Sequence, residues 1–391
     1  MTKNNLKIFF FVDYWPLPIG GMEIHAMEFI KNYKNKKLHV IGFTESLNGL
    51  KNNKNLSVLP KKSIHESCPV ITLLKSKKIK DGDVLFFNSL YWIEIFEDLK
   101  NNFPNCILIM RSGGNDIMQS EILIKGKTLK ERRNYVVKTI NHNLNLLIVN
   151  GNYVYEKYSQ LGIKKNKMKI LIGGVDLKIF KPLNNSSKKN KMKKELGFIE
   201  DGVNLLCVCR MVPVKGLEFL IHAISILKIN VDFRLIIVGN GPLKNKLQEL
   251  INKLKMEGKI FLYGEVNHDK LPKFYQATDI YVQTPINFKN SVLGGKYIHT
   301  ETMGRTYCEA IASNLPIIAT SIGGITDLVG KTKCGILTKE KDIKQISQSI
   351  KKIITNKKLR LEIIKHQKIH AKSFDWKYIF NSYDNIFNNK S

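Results

Sequence analysis

Short apolar runs alternate with amphipathic helical patterns along almost the whole chain, and this rhythm restricts the fold more than any other feature. Leu6 to Val12 is an apolar run with no strict in-out alternation, as expected of a parallel strand buried on both faces. It leads into the loop Tyr14 to Glu23, which holds Gly20-Gly21, and then a helical pattern from Ile24 to Tyr33. Strand, glycine loop and helix form the first half of a βαβ unit. Leu38 to Phe43, Val84 to Asn88, Ile107 to Met110, Leu146 to Val149 and Met168 to Ile172 continue the series. A Lys-, Asn- and Ser-rich stretch follows, read as a solvated linker over 183–197. The rhythm then restarts with strands at Val203 to Val208, Phe233 to Val238, Ile260 to Tyr263, Ile280 to Val282 and Ile317 to Ala319. Two doubly wound α/β domains facing a central cleft, 1–182 and 198–372, are therefore expected, with a final aromatic helix in 373–391.

Charge bears on partners. The formal net charge is +30, yet 56 of the 63 basic residues are Lys and only 7 are Arg, alongside 37 Asn. A surface built to read nucleic acid leans on Arg and on interleaved aromatic residues, neither of which is concentrated here. The charge favours anionic ligands in general, or an anionic membrane surface, for which the basic run Lys125 to Lys138 is a candidate. The six cysteines have no disulfide-framework or metal-finger spacing, and Cys207 and Cys209 fall in an apolar strand. No apolar window is long enough for a membrane span, and Ile8 to Val12 is too short for a signal peptide. A cytoplasmic protein, peripheral on the cytoplasmic face of the membrane, is the expectation.

Two stretches carry the chemistry. Glu301 to Ala310 reads Glu-Thr-Met-Gly-Arg-Thr-Tyr-Cys-Glu-Ala and opens a helix at Tyr307 to Ser313. A loop feeding a helix start offers unpaired N–H groups and the positive end of a dipole, which suits a phosphate. Gly304 permits close approach, Arg305 forks onto phosphate oxygens, and a carboxylate accepts from sugar hydroxyls. Arg210 and Lys215 flank Met-Val-Pro-Val directly after a strand, with Gly216 opening the next helix, an arrangement that fits a diphosphate. The ordinary alternatives are a capped surface helix and a pair of solvated charges. Gly20 and Gly21 lack the G-x-G-x-x-G pattern, so a dinucleotide site is not expected. Asp81-Gly-Asp83 has the form of an acid-any-acid metal clasp, but its place just before a strand favours a turn. Of nine histidines, His25, two residues past Glu23, and His299, two before Glu301, draw attention.

In this order the motifs resemble those of the retaining glycosyltransferase family 4, of GT-B fold and group 1 type. Arg210 with Lys215-Gly216, the turn Gly239-Asn-Gly241-Pro242, the glutamates Glu301 and Glu309, and Gly323-Gly324 with Asp327 match its second domain. Gly174-Val-Asp176 with Phe180 and Pro182 resembles its entry to the linker, and Trp376 to Phe387 its returning helix. Asn240 replaces the usual Asp, Gly173 stands where Asn is usual, Arg111 heads a loop that often begins with His, and Pro285 to Thr300 is longer than usual.

The resemblance implies a nucleotide-diphosphate sugar bound mainly by the second domain, with no cofactor and no metal. Arg210 and Lys215 would hold the diphosphate with the amides of Gly304 to Thr306, helped by Arg305 and Gly241. Glu309 would accept from the ribose and Glu301 would touch the transferred sugar. Gly20, Gly21, Glu23, His25, Arg111 and Asp116 would form the acceptor side, for a glycan or lipid-linked acceptor of bacterial surface polysaccharide or lipopolysaccharide synthesis. Two other classes stay open: a nucleotide-sugar-binding relative that is epimerase-like or inactive, and a nucleic-acid-binding protein.

Overall fold

The computed structural model describes residues 6–15, 21–34, 37–44, 55–60, 66–114, 128–292 and 295–389. They divide into two units: residues 1–173 with 290–297 and 379–391, and residues 174–289 with 298–378.

The first unit holds β1 (Lys7–Phe11), α1 (Gly21–Asn32), β2 (Lys37–Thr44), β3 (Leu56–Pro60), α2 (Ser67–Ser76), β4 (Val84–Phe87), α3 (Phe96–Asn102), β5 (Ile107–Arg111), α4 (Leu129–Asn143), β6 (Leu146–Val149), α5 (Asn152–Gln160) and β7 (Met168–Ile170). Its sheet runs β3-β2-β1-β4-β5-β6-β7 in parallel, with Ile8 opposite both Leu38 and Val84. Every residue of β4 is buried, which explains an apolar run without alternation. Asp81-Gly-Asp83 is a turn: Gly82 has φ +82° and Asp83 accepts from the backbone N–H of Lys7 and Lys80, both at 2.9 Å. Lys125 to Lys127 of the basic run lie outside the described residues; Thr128 closes a capping box with Glu131 at the start of α4.

The second unit begins with α6 (Ser186–Glu195), then β8 (Val203–Val208), α7 (Leu217–Ser225), β9 (Phe233–Val238), α8 (Lys244–Lys253), β10 (Ile260–Gly264), α9 (Leu271–Ala277) and β11 (Ile280–Gln283). After the two-stranded ribbon β12 (Phe288–Val292) and β13 (Gly295–His299), whose residues 290–297 belong to the first unit, come α10 (Arg305–Ala312), β14 (Ile317–Thr320), β15 (Gly335–Thr338), α11 (Ile343–Thr355), α12 (Lys357–His370) and α13 (Trp376–Asn389), the last belonging to the first unit from Ile379 onward. The sheet order is β10-β9-β8-β11-β14-β15. The long stretch before the glutamates is thus the ribbon β12-β13.

The segment 183–197 is not irregular chain: Ser186 to Glu195 forms α6, most of it exposed. Asn185 caps it by accepting from Lys188 N–H at 2.9 Å, and Lys189 bridges to Asp279 at 2.7 Å. Lys, Met and Glu are good helix formers, and polarity alone conceals this.

In each sheet the chain reverses its direction of growth between two neighbours: β1 and β4 in the first, β8 and β11 in the second. Ligands of doubly wound sheets bind beyond the carboxyl ends of the strands at such a point.

Candidate active site

Beyond β8 the chain enters Arg210 to Gly216, and beyond β11 it enters Thr284 and Pro285. Gly216 adopts left-handed backbone and caps α7, and its carbonyl accepts from Thr284 Oγ1 at 3.1 Å, tying the two strand ends together. Lys215 reaches from this loop to Glu301 and donates Nζ to Oε2. Burial, the largest single cause, depresses the Lys215 pKa, but the Glu301 carboxylate and Cys209 together offset it, and the net shift is upward. Lys215 is therefore a fixed cation at neutral pH. Arg210 is exposed at the strand end, close enough for its charge to act on both Lys215 and His299.

His299 is partly buried, and burial is the largest cause of its lowered pKa; Glu301 opposes the shift, while Lys215 and Arg210 add to it. An NMR pH titration of His299 should give a midpoint below the ordinary 6.5. The fold favours the neutral ring, so its contribution to stability is present above pH 6.5 and fades as pH falls through the lower folded value.

Glu301 is positioned from behind. Gly324 N–H donates to Glu301 O at 3.0 Å. A Cβ on Gly324 would lie 1.8 Å from Thr302 O, a distance no side chain tolerates. Gly324→Ala should destabilise the chain by about 1–3 kcal/mol in urea denaturation, because the loop carrying Glu301 and Thr302 must move.

At Gly304, φ is +73° and a Cβ would meet the Tyr307 ring at 2.4 Å, so only glycine allows α10 to start here. Arg305 is the first residue of α10, and its Nε and Nη1 are buried without a hydrogen-bond partner among the described residues. A buried guanidinium with unused donors at a helix start suits an anion. Thr306 Oγ1 donates to Gln283 Oε1 at 3.3 Å, joining α10 to the end of β11.

Glu309, on the next turn of α10, is 2 % exposed. Its Oε2 accepts from Tyr275 OH at 2.8 Å and its Oε1 lies 3.1 Å from His268 Nε2. Burial, then the Glu309 charge, push the Tyr275 pKa well up, so its hydroxyl stays a donor. Phe180 packs against both partners, 5.4 Å from the Tyr275 ring and 5.5 Å from His268. Sequence reasoning missed His268 and Tyr275. They lie 41 and 34 residues before Glu309, with no spacing signal to find them by. Gly239 to Pro242 lies against the Arg210 loop, where Met211 N–H donates to Asn240 O at 2.8 Å. This brings Gly241 to the same strand ends.

On the acceptor side, Gly20 and Asp116 lie outside the described residues. Gly21 opens α1 and Glu23 stands in its first turn. His25 is 1 % exposed and 3.2 Å from Tyr383 OH, so its ring is enclosed by α13 rather than open to an acceptor. Arg111 is also enclosed, at 4 % exposure, with Nη1 3.0 Å from Met22 Sδ.

The fold is that of the GT-B glycosyltransferases: two parallel-sheet, doubly wound domains. It aligns with Alr3699/HepE of Anabaena, solved in complex with UDP, at a TM-score of 0.79 and 19% identity, covering 98% of this chain and 100% of that one. Residues 188–370, which carry Arg210, Lys215, Glu301 and Glu309, match the family model for glycosyl transferases group 1. The uncharacterized glycosyltransferase MJ1178 of Methanocaldococcus jannaschii is 24% identical over 93% of this chain and 92% of its own length. Alpha-monoglucosyldiacylglycerol synthase of Acholeplasma laidlawii is 30% identical over 45% of this chain and 41% of its own length. MJ1178 aside, the chain spans about half the length of the curated relatives it matches.

Proposed function

We propose that this chain is a retaining glycosyltransferase of the group 1, family 4 type, moving a hexose-type sugar from a nucleotide-diphosphate sugar to a glycan or lipid-linked acceptor. The observation that carries the reading is one set of groups beyond the β8 and β11 strand ends: the Lys215–Glu301 pair, exposed Arg210, and the unsatisfied Arg305 at the start of α10. Arg210, Lys215 and Arg305 would meet the diphosphate, and their fixed charge would stabilise it as it departs without help from a metal. Glu301, released in part from Lys215 when the diphosphate arrives, would contact the transferred sugar. Glu309, aligned by Tyr275 and His268, would accept from the ribose hydroxyls. Retention would follow from front-face attack, the leaving diphosphate taking the acceptor proton.

UDP bound to the Anabaena protein and the glucolipid in the Acholeplasma protein's name support a nucleotide donor and a lipid-linked acceptor. Among the described residues no helix is long and apolar enough to cross a membrane. We assign the work to the cytoplasmic face, in synthesis of a bacterial surface polysaccharide or lipopolysaccharide. A screen of nucleotide sugars against glycan and lipid acceptors tests the reading. Transfer with retained anomeric configuration, undiminished by EDTA, is expected. No turnover with any donor, together with no nucleotide-induced thermal shift, overturns it.

A further inference from the structure

A cavity of about 430 Å³ lies at the other edge of the second unit's sheet, where β8, β11 and β14 begin at Val203, Ile280 and Ile317. The volume falls within the range of small-molecule sites. Its charged lining is Lys189, Arg360 and Lys368 against the single carboxylate of Asp279. Lys189 is committed to Asp279 and to the Thr278 carbonyl, at 2.7 and 2.9 Å. Arg360 is held in place by donating Nη1 to the carbonyls of Ile353 and Ile354 at the end of α11. Lys368 forms no ion pair among the described residues. Two positive charges are thus left over beside an apolar wall of Leu315, Pro316, Ile354 and Ile364. Ser313, 4 % exposed, also lines the cavity, and its Oγ makes no hydrogen bond among the described residues.

The cavity is joined to Glu309 at two points. The Tyr275 side chain that donates to Glu309 Oε2 belongs to a lining residue, and Ser313 N–H donates to Glu309 O at 3.0 Å. Helix α10 therefore runs from the anion-seeking Arg305 to the rim of this second site.

We propose that the cavity binds a small organic anion, a phosphate or carboxylate on an apolar body, and that its occupancy changes nucleotide affinity through Tyr275 and Glu309. The binding is independent of the donor-site reading, whereas the coupling rests on it. Such coupling is reciprocal between the two ligands. The test titrates phenyl phosphate, and separately inorganic phosphate, into the full chain by calorimetry, with and without UDP. Two variants outside the donor site are compared: Lys368→Glu at the rim and Ile364→Trp, which fills the cavity. Saturable binding of phenyl phosphate, weakened roughly tenfold or more in both variants, is expected. The UDP dissociation constant should shift with phenyl phosphate in the parent chain and not in the variants. Absence of saturable binding, or unweakened binding in both variants, overturns the site. Equal binding of inorganic phosphate overturns the organic body. Phenyl phosphate binding with unaltered UDP affinity overturns the coupling alone. If UDP does not bind at all while phenyl phosphate does, the donor reading fails and the cavity site stands.

Discussion

Replacing Lys215 by alanine is expected to lower kcat by on the order of 10²–10³-fold, the usual loss when one preorganised group facing developing charge is removed. The size follows from the setting. Lys215 is a permanent cation, mostly withdrawn from solvent, and its charge is held in position by Glu301. The substitution also leaves Glu301 without its counter-ion. Partly exposed pairs contribute little and fully buried ones cost about 3–5 kcal/mol to break, so a loss of about 1–3 kcal/mol in stability is expected. That is small enough for the chain to stay folded. Single-turnover consumption of the donor found by the screen, measured beside urea denaturation, separates the two effects. Unchanged turnover in a folded variant removes Lys215 from the machinery.

Glu309→Ala should be the more damaging change to the architecture. The carboxylate serves both Tyr275 OH and His268 Nε2, so its removal strands a buried hydroxyl and an imidazole. At about 1–3 kcal/mol for the buried Tyr275 hydroxyl left unsatisfied, and less for His268, which is 30 % exposed, roughly 2–4 kcal/mol of stability is at stake. The ribose contact proposed for Glu309 would be lost as well, so nucleotide binding should weaken about 10- to 100-fold, or about 1.4–2.8 kcal/mol. Tyr275→Phe offers the control: it keeps the carboxylate and gives up one donor, so binding should weaken far less. If Glu309→Ala binds nucleotide as tightly as the parent chain, the ribose role is excluded, whatever the change in stability.

How far the sequence foretold these results depends on the range of the interaction. Strands β8 and β9 are read from their apolar runs with the observed bounds, since their side chains face buried layers on both sides. β3 and β15 at the sheet edges were not read, being short and only half-buried. The glycines at 216, 323 and 324 are legible because a backbone carbonyl lies where a Cβ would stand, and Gly304 because its positive φ and the Tyr307 ring exclude one. Lys215 and Glu301, 86 residues apart, come from loops whose motifs each point to anion chemistry. His268 and Tyr275 carry no such local mark. Only the folded sheet brings α9 and the loop before it against α10. His25 shows the converse: a polar residue in the first turns of α1, beside a promising loop, was enclosed by Tyr383 from the far end of the chain.

That enclosure also sets an order of events during synthesis. The Tyr383 ring centre lies 5.2 Å from that of Phe29, edge-on, and 5.4 Å from that of Phe86, and Phe387 lies 5.6 Å from Phe86. Domains ordinarily fold as units, the N-terminal one first as the chain emerges. Here the first unit is the one made earliest and finished last, since its aromatic core lacks a wall until residues 379–387 have been translated. The second unit, most of which lies between β8 and α11, can close while the first still exposes Phe29 and Phe86 to solvent. A nascent or truncated chain ending before Ile379 would therefore be a client for chaperones and an early target for proteolysis, although Lys215, Glu301 and Glu309 were already in place.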